Sequence, residues 1–457
     1  MRKRRGRLTR RGRAARICFL KALFFGPVFL PLLFILLAAA PAFVVAYGTD
    51  PRWMQYQHGF QLILFSRKFQ WPLVSLSLIA CVGLLALIVS GRKRAWWLIG
   101  LAPVLALFGH RFAVMPEVGA MTTVENPTFV PAAQASFVHD DDYIVGLHFG
   151  DTYYAYPYAQ LYQTPVVVQA DHEKRLMLIW SAYANRALAT TIHRDLHARD
   201  LDIVSTPANA LLLYNTRLGQ FINGLTGMTV KGEKPAGFGT EISALKMPWS
   251  QWRQLHADTS VLAPIANVHA PVLAPTKPLT ATCPMPPMIL EHPFDMSVAL
   301  VGDVDPIAIE SSEIGSAPLN LKLNSLPVLV FRDESSHTVR AYSRQLKPDV
   351  LPQFARNTNP RKHPNAMFVD VDTASGWNAD GVWVDGDKDF KGKKLDHVLI
   401  EDGLSWGVLK YWYPQLNLEK PPQHEQELQE PDEQPAKPAP VRSGRRSRRR
   451  GARPSSR

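Results

Sequence analysis

Four stretches of the chain carry residue types that do chemistry elsewhere in proteins. Cys283, Met285, Met288 and His292 place a thiol, two thioethers and an imidazole within ten residues of a proline-rich run, a soft donor set that suits Cu(I). The plainer account is a linker with incidental sulfur. His193-Arg-Asp-Leu-His197 has the i, i+4 spacing of a helical zinc pair, but Arg194 stands where that motif needs Glu. The flanking Thr190-Thr-Ile and Leu201-Asp-Ile-Val read as arms of a hairpin, where side chains four apart are too distant for one ion. Asp140-Asp-Asp142 and Asp385-Gly-Asp-Lys-Asp389 cluster carboxylates of the kind that hold Ca²⁺. Phe390 occupies the place where a calcium loop turns on Gly, so acidic turns are the better reading. The fourth set mixes rings, a hydroxyl and amides: Trp180, Ser181, Tyr183, Asn185 and Arg186, joined by Tyr214 and Asn215. Such groups line small-molecule or glycan pockets, and equally form β-cores whose Tyr and Trp are bonded internally. Ser181 lacks the Gly-x-Ser-x-Gly turn of a hydrolase. No complete catalytic constellation and no cofactor motif emerges, so the site expected is one of binding.

The elements that must position these residues begin with apolar runs. Between Lys21 and Asp50 the chain is uncharged, for longer than the roughly 20 residues that cross a hydrocarbon core. Phe69–Ser90 and Ala95–Gly109 are further uncharged runs on either side of Arg92-Lys93-Arg94. They predict three membrane helices over about 22–47, 69–90 and 95–114, with Trp53, Trp71, Trp96 and Trp97 at headgroup level. Segment 1–21 holds ten basic residues and no acidic one. With the Arg92–Arg94 turn it predicts, by the positive-inside rule, a cytoplasmic N-terminus and an extracytoplasmic main domain. A leader cleaved after Ala38-Ala39-Ala40 is the competing reading, opposed by the length of the run and by Pro41. The uncharged runs contain no acidic residue to mark an ion path, so a pump or transporter is not expected.

Over the whole chain, 51 Lys and Arg against 39 Asp and Glu give +12. Ten of the basic residues lie in 1–21 and eight in Arg442–Arg457; without them 33 face 39, a net of −6. A globally basic nucleic-acid-binding domain is therefore not supported. The partners expected are the lipid bilayer and, for the Arg-rich tail, anionic envelope polymers or headgroups. Three cysteines (Cys18, Cys81, Cys283) rule out a disulfide framework and any four-cysteine metal site.

From Asn126 to about Leu418, short β-branched and aromatic runs alternate with Gly, Asp, Asn and Pro. Tyr143–Phe149, Gly150-Asp151 and Thr152–Tyr156 read as strand, turn and strand, and Val166–Ala170 with Arg175–Trp180 repeats that grammar. Thr226–Lys234 aligns without gaps on Asp380–Lys388, Pro165-Val-Val-Val on Pro327-Val-Leu-Val, and Trp249 on Trp406, at offsets of 154 to 162 residues. The expected fold is therefore α+β. A three-helix membrane anchor precedes a mostly antiparallel ectodomain of two repeated units, 115–262 and 294–418. Each unit ends in a helix, near Trp249–Leu255 and Leu404–Trp412, and a proline-rich linker, 263–293, joins them. Residues 419–457 are too polar to bury a core and read as disordered.

Asn126-Pro-Thr-Phe-Val-Pro-Ala-Ala, Asp142-Tyr-Ile-Val-Gly, Ala155-Tyr-Pro, Leu212-Leu-Tyr-Asn215, Trp249-Ser-Gln-Trp-Arg-Gln-Leu-His-Ala-Asp-Thr259 and Asp372-Thr-Ala-Ser-Gly-Trp377 are the stretches that match a known pattern. Together, over about 126–418, the chain resembles the bacterial domain-of-unknown-function family numbered 3179. The family's commonest form has Cys-x-x-Cys after its second hairpin; Ser181 and Ala184 stand there instead. Redox or metal chemistry attached to those cysteines is not carried over. The resemblance supports fold and organisation more than function. The oriented spans, the duplication and the absence of a complete catalytic constellation together lead to the expectation of a bacterial cytoplasmic-membrane protein with a non-catalytic ligand- or partner-binding ectodomain. The alternative is a metal-binding protein using the linker sulfurs or the acidic turns.

Overall fold

The computed structural model describes residues 28–48, 57–91, 93–114, 121–171, 174–265, 277, 296–302, 305–346 and 350–420. The basic segment 1–21, the Cys283–His292 stretch and the tail from 421 onward lie outside the described residues. Helix α1 (Phe29–Tyr47) carries Pro41 in its interior. Helix α2 (Gln57–Lys68) follows, then α3 (Gln70–Val89). By length and composition α1 and α3 can cross a membrane, and their most apolar windows are only 33% and 17% buried, unlike the core helix of a soluble protein.

The third expected span is not one continuous helix. Ala95–Leu101 winds as a 3₁₀ helix before α4 (Ala102–Val114). Pro103 supplies a reason: it lacks an N–H, and its ring conflicts with the carbonyl four residues back. The Ala102 N–H closes instead on Ile99 O, three residues back.

The remainder is β-rich and mostly antiparallel. In chain order its first set of strands is β1 (Thr123–Glu125), β2 (Phe129–Pro131), β3 (Tyr143–Phe149), β4 (Thr152–Pro157), β5 (Val166–Asp171), β6 (Lys174–Ser181), β7 (Arg186–Ile192), β8 (Leu201–Ser205), β9 (Leu212–Asn215), β10 (Gln220–Asn223), β11 (Phe238–Ile242), β12 (Ala244–Pro248), helix α5 (Trp249–Leu255) and β13 (Ser260–Leu262). The second is β14 (Ser297–Val301), β15 (Ile307–Glu310), β16 (Leu319–Leu323), β17 (Leu326–Arg332), β18 (Val339–Ser343), β19 (Phe354–Arg356), β20 (Phe368–Asp370), β21 (Gly376–Trp377), β22 (Trp383–Asp385), β23 (Ile400–Ser405), helix α6 (Trp406–Trp412) and β24 (Leu418–Glu419).

The two sets share pairing rules. Hairpin β3–β4 takes β12 antiparallel on β3 and, after α5, β13 parallel on β4. Hairpin β14–β15 takes β23 antiparallel on β14 and, after α6, β24 parallel on β15. Each set also has a three-strand meander, β5–β6–β7 and β16–β17–β18. By this order Pro327, inside the central strand β17, does not correspond to Pro165, which precedes the outer strand β5. The expected hairpin around His193 is also corrected, because β7 pairs with β6 and β11 while β8 pairs with β9 in another sheet. Arg175 donates to the carbonyls of Arg194 and Leu196 at 2.7 and 2.9 Å, fastening the turn that leads the chain away.

Asp333, buried at the end of the β17–β18 hairpin, accepts from Ser335 N–H at 3.0 Å, from the Ser335 and Ser336 hydroxyls at 2.8 Å each, and from Arg340 at 3.0 Å. Burial pushes its pKa up, but these donors outweigh it and hold the carboxyl below its ordinary value. A depressed carboxylate pKa means that the unfolded chain binds the extra proton. The stability it contributes is therefore full above the unfolded value of about 3.9 and is lost as pH falls through the folded one. Urea midpoints followed downward from pH 5 should fall more steeply in the parent protein than in Asp333→Asn, and equal slopes would remove Asp333 from the account.

Candidate functional site

The two sets of strands meet at the edges of their sheets, where β12 and β23 approach. Both edges carry a charge, Lys246 between Leu245 and Met247 in the otherwise apolar β12 and Glu401 between Ile400 and Asp402 in β23. Glu401 is 5% exposed and takes its donors from the first set. The Arg186 guanidinium donates to one carboxylate oxygen, while Ala187 N–H at 2.7 Å and Lys246 Nζ at 2.8 Å share the other. Arg186 also reaches Glu241 at 2.7 Å and Leu225 O at 3.2 Å. Burial opposes the charge on Arg186, yet Glu401 and Glu241 outweigh it and hold its pKa above the ordinary value. Lys246 is left with a lowered pKa, because burial exceeds the support from Glu401. Two cations and two carboxylates thus balance where water is largely excluded.

Apolar contact completes the joint. Ala184, Ala210 and Leu225 pack with Val298, Leu404, Trp406 and Leu409. Asn185 donates to Gly403 O at 2.8 Å, and Ser405 N–H donates to Ala184 O at 3.2 Å. Gly403 has φ +77°, and a Cβ there would stand 3.3 Å from Asn185 Nδ2, so this close approach depends on glycine.

Over Arg186 and Glu241 opens a cleft of about 300 Å³, walled by Thr190, Phe238 and Thr240 from the first set and Leu300, Pro306 and Tyr413 from the second. A groove of about 490 Å³ adjoins it, sharing Pro306 and Tyr413 and adding Lys322, Asn324 and Trp412. The Tyr413 hydroxyl is pushed up to about 12 by burial, against the pull of Arg186, and stays protonated as a hydrogen-bond donor. The cleft therefore offers hydroxyls and a tethered carboxylate beside the Phe238 and Leu300 faces. That combination grips a polar molecule with one apolar side.

The family model described as "Protein of unknown function (DUF3179)" matches residues 118–406, which include most of both sets of strands. The chain belongs to the DUF3179 family. No curated protein and no solved structure matches it.

In this DUF3179 chain the residues expected at the decorated turn after β6 are mostly interior. Trp180, Ser181, Tyr183, Asn185, Arg186 and Asn215 are buried, and the void beside Trp180, Ser181 and Tyr183 measures about 10 Å³, room for one water at most. Ser181 Oγ donates to Asn209 O at 3.4 Å and accepts from Leu211 N–H at 3.0 Å. The Tyr183 and Tyr162 hydroxyls are 3.3 Å apart, and Asn185 accepts from Tyr158 at 2.8 Å. Asn215 accepts from the N–H groups of Arg217 and Leu218 at 3.1 and 3.0 Å. Tyr214 lies elsewhere, beneath Arg67 of α2. Of the seven, Arg186 alone lines the 300 Å³ cleft.

The other motifs stay apart. His197 Nδ1 pairs with Glu125 at 2.7 Å and His193 with Asp195 at 3.4 Å. Asp140 pairs with Arg253, Asp141 with Lys277, and Asp385 with His363. Among the described residues no three His, Cys, Asp or Glu side chains converge to hold a metal. Sequence reasoning missed Glu401, Glu241, Lys246 and Tyr413. The available signal was Lys246, a lone charge inside the apolar strand β12.

Glu401→Gln would leave Lys246 buried without its counter-charge and weaken the hold on Arg186. Losing one partner of a buried pair costs roughly 3–5 kcal/mol. The denaturant midpoint of the detergent-purified protein should drop accordingly and recover in part when Lys246→Met is added. A loss below about 1 kcal/mol would show that the joint does not depend on this charge.

Proposed function

We propose that this chain is a membrane-anchored protein of the bacterial cytoplasmic membrane whose β-rich domain binds a ligand in the junction cleft without turning it over. The observation that carries this reading is the cleft itself, walled by both sets of strands over a charge-balanced floor. Its carboxylate, Glu241, is engaged by Arg186, the Thr190 hydroxyl donates to backbone carbonyls, and the one lysine of the lining, Lys234, is exposed to solvent at the rim. Binding rather than chemistry suits such a set. The ligand class is a small, near-neutral molecule with hydroxyl or amide groups on one edge and an apolar face, such as a saccharide or a short peptide.

The membrane reading rests on the two long apolar helices and on charge. The basic N-terminal segment and Arg92–Arg94 belong on the cytoplasmic side, and a third crossing by 95–114 brings the β-rich domain to the far side. The shared pairing rules support a duplicated unit, with the cleft formed where the copies join. The Arg-rich tail, outside the described residues, would contact anionic polymers or headgroups there. The metal-binding alternative rests on Cys283, Met285, Met288 and His292, also outside the described residues, and no observation favours it.

Thr240→Trp would fill the cleft from an exposed edge-strand position. A thermal-shift screen of mono- and disaccharides and dipeptides should yield ligands for the parent protein that this variant no longer binds, with its own melting temperature little changed. Ligands that bind both proteins equally would place the site elsewhere. Turnover of any bound compound would contradict the non-catalytic reading.

A further inference from the structure

Helix α2 lies between the two membrane-length helices, and its faces differ. Ile63 is buried with Val204, Leu212 and Phe221 of the β8–β9–β10 sheet, and Phe60 and Leu64 pack around them. Arg67 forms an ion pair with Asp202 and sits 5.8 Å from the centre of the Tyr214 ring. The Phe60 ring meets Trp412 edge-on at 5.7 Å. One helix face therefore touches both sets of strands. The opposite face presents Gln61, Phe65 and Lys68 to the outside, and it runs on into Phe69 and Trp71, which are 40% and 75% exposed.

Aromatic rings beside a lysine, one or two residues from an apolar helix of membrane length, are the composition of the headgroup region. We propose that α2 lies flat at the bilayer surface as the seat of the β-rich domain, with lipid headgroups as the partner of its Gln61–Phe65–Lys68 face. The inference rests on the membrane reading above and goes beyond it by placing α2 at the bilayer surface, which supplies a reason for the third crossing independent of charge. Because α2 touches the β-rich domain, both lie on one side of the bilayer. Helix α3 carries the chain away from that side, so the segment Ala95–Val114 must carry it back.

Packing within the helices agrees. Against α1, α3 runs antiparallel: Gly83 faces Phe34, and Ser77 Oγ donates to Ala38 O at 2.9 Å. The Ala95–Val114 segment runs parallel to α1, with Gly100 against Ile35 at one end and the His110 ring 4.9 Å from Tyr47 at the other. The 3₁₀ turn also lengthens it. Seven residues at about 2.0 Å and thirteen at about 1.5 Å reach roughly 33 Å, which spans a core of about 30 Å when His110 and Arg111, near the end of the segment, stand at its far headgroup boundary. A continuous helix of the same residues would only just reach. Small residues at the contacts, Ala38, Ala42 and Ala80 with Gly83 and Gly100, suit helices that associate in lipid.

The test uses the full chain in membrane vesicles, with Cys18, Cys81 and Cys283 replaced by Ser and one new cysteine at a time: Gln61→Cys, Ser90→Cys or Asp151→Cys. A membrane-impermeant maleimide should label the Gln61→Cys and Asp151→Cys proteins from one side and the Ser90→Cys protein from the other. A spin label on Phe65→Cys should be relaxed more by dissolved oxygen than by an aqueous nickel chelate. Asp202→Lys should expose that label to the chelate, and Arg67→Glu in the same chain should restore its protection. Ser90→Cys and Asp151→Cys labelling from the same side, in protein that resists alkaline extraction, would overturn the seat and leave the anchor standing. Release by alkaline carbonate would overturn the membrane reading and the seat together.

Discussion

Glu401 is a carboxylate taken out of water at the edge of one sheet, and the first set of strands answers it with a guanidinium, an ammonium and a backbone N–H. Such a charge tolerates little misplacement, because an unpaired ion in the interior costs several kcal/mol. The apolar contacts of the joint admit small slides; the charges do not. Arg186, held from two sides, is therefore both the fastener of the joint and the floor of the cleft above it. The two roles cannot be separated by moving either sheet alone.

The same joint connects to the helices through two adjacent residues. Tyr413 lines the cleft, while Trp412 touches Phe60 of α2 and walls the adjoining groove. Trp412 is the last residue of α6 and Tyr413 the next one, and the apolar face of that helix is buried in the shared core with Trp406 and Leu409. Under the proposed membrane placement, the ligand cleft and the bilayer seat lie on either side of one short helix end. A single rigid segment then sets the height of the cleft above the membrane.

The hairpins were legible in the sequence because alternation and turn chemistry are local. Gly150-Asp151 does turn β3 into β4, and the helix beginning at Trp249 ends at Leu255. Helix α2 was hidden within a stretch that reads as a connection. Its Phe60, Ile63, Leu64, Arg67 stripe fits a helix face but spans only two turns. The decorated turn after β6 was found, yet its rings and amides point inward, since nothing local distinguishes an internally bonded Tyr or Asn from one facing a ligand. Glu401 was invisible for a different reason. Ala187 and Arg186 lie 214 and 215 residues away along the chain, Lys246 is also far off in sequence, and only the fold brings them together.

The most direct measurement of the central claim is hydrogen–deuterium exchange of the intact protein, followed at β7 and β23 as denaturant is raised. If the joint binds the two sets of strands into one body, amides of Arg186–Ile192 and Ile400–Ser405 should reach exchange through the same opening, with equal free energy and equal denaturant slope. Two distinct openings, with β23 exchanging while β7 stays protected, would contradict the account. The cleft would then sit between independent parts, without a floor fixed by the charges.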